Sequence, residues 1–341
     1  MRRASALALV LAAVLACIAT ATEARRRAPD AAPLRGKPLD PGSGLRLVVA
    51  DDPPLLLDVD SGAVARVGVA RARRGTLHVV AVGGRGAVAI SRAGPASQAY
   101  GIRGRHARVT RLGRGDVAWP HRGARAAWIL TRERRSRCRL RLVSLDGRLL
   151  RRARPFPCAT VSDPAAGLLG LVVRRTRVVE PESGRTVLRS QVAILAVAGR
   201  RLLLRAGRRA LMLIDNETGR KRAVPWPSAL EGLDDAVVDP GGRFVALSFA
   251  APSWPGGKQV MDAWLLDTQT GRLAQLPAMP AFVALKATSL AWRADGQLVL
   301  LGEDERRQFV ALWRPGQRRL AFKLVRFPKR RGDSDSFAPL G

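Results

Sequence analysis

The chain is short of aromatics, histidine, cysteine and acids, and each shortage removes a class of function. Aromatic residues are 5% of 341 positions, with one tyrosine, Tyr100. A core at 47% hydrophobic content must therefore be assembled mainly from Ala, Val and Leu. The three histidines, His78, His106 and His121, show no His-x-His or His-Glu-x-x-His spacing, which leaves no familiar zinc-ligand pattern. The three cysteines form no Cys-x-x-Cys, so dithiol redox chemistry and zinc ribbons are not indicated. No Gly-x-Ser-x-Gly elbow is present, and the apolar runs lack helical periodicity and capping signals. No cofactor or metal is expected.

Acids are few against bases, 27 against 59, for a formal net charge of +32. Six of the bases are Lys and fifty-three are Arg. Residues 1–30 hold five Arg and two acids, so +29 belongs to the body of the chain. A field of that size favours anionic partners. The arginines are spread along every run and turn and gather on no one expected face, which reads as coding bias placing Arg where Lys could stand. An anionic polymer or lipid is the electrostatic expectation, and nucleic acid is not favoured.

At the N-terminus Arg2 and Arg3 precede an apolar run, Ala4 to Ala21, that ends in Ala19-Thr20-Ala21. This is the pattern of a secretory signal peptide, with an uncleaved anchor as the second choice. Val14-Leu15-Ala16-Cys17 is similar to a bacterial lipoprotein box and makes Cys17 a lipidation candidate, although Leu15 departs from that pattern. Residues 1–24 are thus a leader or anchor, 25–44 a flexible linker, and the body is expected outside the cytoplasm. There Cys138 and Cys158 are available as one disulfide.

What the chain has in quantity is punctuated strands. Asp234 to Met279 contains four apolar runs separated by Pro240-Gly241-Gly242, by Pro252 to Lys258, and by Asp267-Thr268-Gln269-Thr270-Gly271. The last turn recurs as Gly62, Gly94, Gly147, Gly184, Gly219, Gly271 and Gly316, at intervals of 32 to 53 residues. Each of these glycines follows an apolar run. Asp239-Pro240-Gly241-Gly242-Arg243 is matched by Arg293-Ala294-Asp295-Gly296-Gln297, and more loosely near Val161. A period of about 42 residues with four strands per unit indicates an all-β fold, a β-propeller of four-stranded antiparallel blades. The runs of residues 45–327 give seven blades, with six as the alternative count, because Leu45–Gly68 and Leu77–Ile102 each show only three strands. An N-terminal strand completing the last sheet would close the ring, and 328–341 reads as a mobile tail.

At these turns the sequence resembles the WD40-like propellers of the TolB/PD40 type, whose repeats carry a Ser-Pro-Asp-Gly-(Arg/Lys) inner turn and a Leu-x-Asp-x-x-Thr-Gly outer hairpin. Asp215 to Gly219 and Asp267 to Gly271 match the second well, and the inner turns are degenerate. The resemblance implies a fold and says little of function. Sialidase-type boxes are absent, and a quinoprotein tryptophan is not found at its place after the turns.

The candidates that remain are few. Trp254 and Lys258 stand in the Pro252-to-Lys258 loop, where an exposed aromatic can anchor a partner. The other tryptophans read as core between blades. Asp51-Asp52 and Asp234-Asp235 could hold a cation through oxygens, but capping of local N–H groups is the better account. The leading expectation is an exported, monomeric, non-catalytic scaffold binding a protein partner in the cell envelope. The alternatives are a propeller hydrolase or lyase acting on an anionic carbohydrate or lactone, and an electrostatic binder of anionic envelope polymer or lipid.

Overall fold

A computed structural model describes residues 34–69, 77–84, 86–91, 97–121, 125–134, 137–158, 170–227, 232–250, 259–283, 289–304, 307–327 and 336–340. The described chain is all β, with seven antiparallel sheets arranged as blades around a ring. In chain order blade 2 is formed by 77–82, 86–91, 98–103 and 108–114, and blade 3 by 117–120, 126–134, 137–144 and 149–156. Blade 4 shows 171–173, 177–179 and 186–189, its first repeat segment near Val161 falling outside the described residues. Blade 5 comprises 193–198, 201–207, 210–215 and 221–224. Blade 6 comprises 232–238, 244–250, 259–267 and 272–275, with 281–283 returning to pair with 259–261. Blade 7 comprises 289–292, 298–304, 307–313 and 321–325.

Blade 1 is assembled from both ends of the chain. Residues 46–49, 55–58 and 64–66 supply three strands, and 337–340 supply the innermost one, hydrogen-bonded antiparallel to 46–49. The count of seven is therefore the right one, and the apparent lack of a fourth strand in each of the first two repeats has two causes. In blade 1 the missing strand comes from the end of the chain. In blade 2 it is Arg108–Arg114, an outer strand so polar, Arg-Val-Thr-Arg-Leu-Gly-Arg, that no hydrophobic period marks it. Gly94 is accordingly not the outer-hairpin marker of blade 2, since the turn into 108–114 falls at 104–107. Two expectations are corrected together. Residues 337–340 of the expected mobile tail are buried strand, and Lys37–Pro38 of the expected linker pair parallel with 321–322 as a fifth, outermost strand of blade 7.

The core is a series of thin apolar layers between neighbouring blades, not a single central mass. Val48, Val79, Ala89 and Ala338 pack between blades 1 and 2, and Val299, Val310, Leu47 and Leu57 between blades 7 and 1. Sheets stacked about 10 Å apart leave room for Val, Leu and Ala and little more, which is why so aromatic-poor a chain can fold this way. The backbones come close at Gly101, where a Cβ would lie 2.5 Å from the Leu145 carbonyl oxygen of blade 3.

Turn chemistry works as the repeats foretold. The six described marker glycines have φ between +67° and +92°, a region that costs glycine nothing. Asp267 Oδ1 accepts from the Gln269 N–H at 2.9 Å, and Asp215 Oδ1 accepts from Glu217 and Thr218 at 3.1 and 3.2 Å. A basic residue at the start of the second strand faces the turn aspartate each time: Arg46–Asp58 at 2.9 Å, Arg200–Asp215 at 3.0 Å, Arg243–Asp267 at 2.8 Å. Bases also join blades through carbonyls. Arg46 donates to Arg105 O at 2.8 Å, Arg141 to Leu112 O and Arg114 O at 2.7 Å, and Lys323 to Asp60 O at 2.5 Å.

Candidate functional site

The blades sort charge by radius. The fourth strands of the seven blades, counted outward, 64–66, 108–114, 149–156, 186–189, 221–224, 272–275 and 321–325, carry one, three, three, one, two, one and one Lys or Arg and no acid. The described innermost strands, 77–82, 117–120, 193–198, 232–238, 289–292 and 337–340, carry no Lys or Arg and two acids, Asp234 and Asp235. Of the described strands, the outer ones thus carry bases without acids, and the innermost ones carry no base. An outer strand has an unpaired edge that charge protects from association, and inner strands are packed against neighbouring blades on both sides.

The basic surface deepens at one place. Between blades 5 and 6, on the face bearing the Asp-led hairpins, a cleft of about 260 Å³ is lined by Arg200, Arg201, Asp215, Thr218, Arg220, Arg222 and Thr268 among others. Desolvation pushes the Asp215 carboxyl up, but the Thr218 and Glu217 amides and Arg200 outweigh it and hold the group below the usual carboxylate range. The guanidinium groups of Arg200 and Arg201 meet this carboxylate, while those of Arg220 and Arg222 line the same cleft without one. Nothing in a list of single motifs marks this cleft. Its signals are the Arg200-Arg201 pair and Arg220-Lys221-Arg222, which only the hairpins bring together.

The residues singled out by sequence fare differently. Trp254 and Lys258 lie in 251–258 and Cys17 in 1–33, outside the described residues. Cys138 and Cys158 are disulfide-bonded with Cα atoms 5.0 Å apart. The register explains the pairing, because Cys138 opposes Phe156 and Cys158 stands just past that strand's end. Trp119, Trp128, Trp292 and Trp313 are buried between blades. Trp226 meets Phe249 edge-on at 5.0 Å. The acid pairs cap local backbone, Asp51 accepting from Asp52 N–H at 2.9 Å and Asp235 from Ala236 N–H at 2.8 Å. Asp234 sits at a bulge between Leu233 and Asp235, where desolvation raises its carboxyl although water still reaches it. His106 is exposed and His121 lies edge-on to Trp128 at 5.8 Å. Among the described residues no three His, Cys, Asp or Glu side chains gather as a metal site.

One buried acid was not flagged by sequence. Asp262, 3% exposed on the third strand of blade 6, accepts from Gln275 Nε2 at 2.9 Å. Desolvation raises its carboxyl, and that hydrogen bond offsets the rise only in part. A raised folded-state value means the fold prefers the neutral acid, so the penalty is absent below the unfolded value and complete above the folded one. Asp262→Asn keeps the acceptor for Gln275 and is expected to stabilise at pH 7.5 on the order of 1 kcal/mol, the gain fading as pH falls toward about 4. Thermal melts at the two pH values check this, and a destabilised variant at pH 7.5 would refute it.

Seven radial blades with closure by the chain's far end define a seven-bladed β-propeller. TolB from Acinetobacter baumannii has a similar fold, with a TM-score of 0.50 and 11% identity over 87% of this chain and 67% of that one. The β-propeller domain of the Trilobed protease from Pyrococcus furiosus gives a TM-score of 0.52 and 11% identity over 90% and 97% of the two chains. A protein from Lactobacillus plantarum gives 0.53 and 9% over 87% and 99%. At such identities the likeness is one of fold, in agreement with the TolB-type repeats seen in the sequence. No family model and no curated protein matches the sequence.

Proposed function

We propose that this propeller is an exported, non-catalytic binding scaffold of the cell envelope, and that its basic perimeter is the surface that takes an anionic macromolecular partner. The observation that carries this reading is the radial sorting of charge: twelve bases and no acid on the fourth strands of the blades. Coding bias alone would spread arginine without regard to radius, whereas a perimeter of one sign raises the local concentration of an anionic partner and speeds encounter. The leader pattern and the Cys138–Cys158 bond support a place outside the cytoplasm.

The experiment is a salt titration of binding to a soluble polyanion such as heparin, using residues 34–341. The logarithm of the affinity should fall linearly with that of salt. Arg108, Arg111 and Arg152 are exposed on outer strands, and Arg174, Arg175 and Arg208 are exposed on turns between strands. R108Q/R111Q/R152Q should weaken binding and flatten the slope, and R174Q/R175Q/R208Q should change both much less. Equal effects of the two triples would overturn the perimeter reading.

A further inference from the structure

The cleft between blades 5 and 6 has the makings of a small, specific anion site, and the argument for it is separate from the perimeter as a whole. Arg200 is spent: its Nε meets Asp215 at 3.0 Å and its Nη1 meets Glu217 at 2.7 Å. Arg201 shares Asp215 at 3.7 Å. Arg220 and Arg222 have no carboxylate partner among the described residues. Two guanidinium groups left unpaired beside two paired ones face mutual repulsion that an oxyanion would relieve, and a guanidinium fork matches such an anion with two parallel hydrogen bonds.

The position of Arg222 is set by packing. Its stem lies over Gly271 of the neighbouring hairpin, and a Cβ built at residue 271 would collide with Arg222 Cδ. Gly271 thus serves two ends, the φ of +72° that its turn requires and the floor beneath Arg222. Thr218 Oγ1 accepts from Arg220 N–H at 3.3 Å, and its hydroxyl is given to the Asp215 carboxylate, helping to hold that group ionised. The Thr268 hydroxyl is already given to Arg243 O at 2.7 Å. The ready donors are therefore Arg220 and Arg222, contributed by one hairpin and steadied by the next blade.

Size narrows the ligand. A volume of about 260 Å³ exceeds a single tetrahedral anion, for which a few waters' worth at about 30 Å³ each suffices. It falls short of the ~300–1,000 Å³ typical of a whole drug-sized ligand. We infer that the cleft lined by Arg220, Arg222 and Thr218 is a binding site for a tetrahedral oxyanion, a phosphate or sulfate group. The group arrives either as the free ion or as an ester at the end of a larger molecule.

The test is calorimetric titration of residues 34–341 at fixed ionic strength in chloride buffer, with inorganic phosphate, inorganic sulfate and glycerol phosphate as probes. Saturable one-to-one binding is expected. R220Q and R222Q should each weaken it by roughly tenfold or more, the loss expected for a hydrogen bond to a charged group. Gly271→Ala removes no charge and should also weaken binding, because it dislodges Arg222. R108Q/R111Q/R152Q should leave it unchanged. Glycerol phosphate bound at least as well as inorganic phosphate assigns the site to an ester-borne group, and a preference for the inorganic ions assigns it to the free anion. Circular dichroism of each variant reports whether it folds. The inference is overturned if no probe saturates, if folded R220Q/R222Q binds as the parent does, or if the outer-strand triple weakens phosphate equally. The last result would make the binding a general effect of charge and leave the perimeter reading standing.

Discussion

A chain ending at residue 335 is expected to lose its cooperative fold. Residues 337–340 are the innermost strand of blade 1, and all four are buried. Their backbone pairs with 46–49, Ala338 and Leu340 pack against blade 2, and Phe337 packs in the layer shared with blade 7. Ser336 adds two ties, accepting Ala50 N–H at its carbonyl and Val79 N–H at its hydroxyl, both at 2.9 Å. Full burial of an apolar side chain of the Phe or Leu kind contributes about 1.5–3 kcal/mol, so the segment's loss is comparable with the ~5–15 kcal/mol that holds a typical domain together. The truncation also exposes strand edges on both sides of the gap. Urea unfolding of residues 34–335 beside 34–341 measures this. Retention of a cooperative transition at the same midpoint would show that the ring closes without the strand.

The second large effect concerns the Cys138–Cys158 bond. It closes a loop of 20 residues, and chain-entropy reasoning gives a loop of that length roughly 3 kcal/mol of stability. The bond fastens the outermost strand of blade 3, whose residues 149–153 are exposed and contribute little apolar burial of their own. C138S/C158S should therefore melt about 5 °C lower than the parent, the shift that such a loss gives a domain of about three hundred residues. Dithiothreitol should bring the parent down to the variant and leave the variant unmoved. An unchanged melt in the parent under reductant would contradict the assignment.

How much was legible in the sequence differs from blade to blade, for physical reasons. Blade 6 could be read almost whole, since its strands are apolar and its turns carry Asp267, Gly271 and Gly242 at positions that local geometry demands. Blade 2 was read one strand short because 108–114 is outermost. It needs to bury only one side and keeps few apolar residues, so alternation fails as a signal. The strand at 337–340 was hidden more deeply. Four residues behind a polar stretch carry no period, and their partner lies almost three hundred residues away at 46–49. The Arg220–Arg222 cleft was out of reach for the same reason, since one of its walls comes from the next hairpin.

By itself the sequence determined the all-β class, the repeat, the turn types and the size of the charge, because each is set by residues close together in the chain: a glycine that can take positive φ, an aspartate that caps its own turn, apolar runs that alternate. Tertiary structure alone decided how the ring closes, which strand of each blade faces outward, that the outer strands carry bases and no acid, and that Arg220 and Arg222 share a cleft, Arg222 over Gly271. Those features depend on which distant segments become neighbours. That outcome is governed by the stacking of seven blades and by the closure of the ring, and no local pattern encodes it.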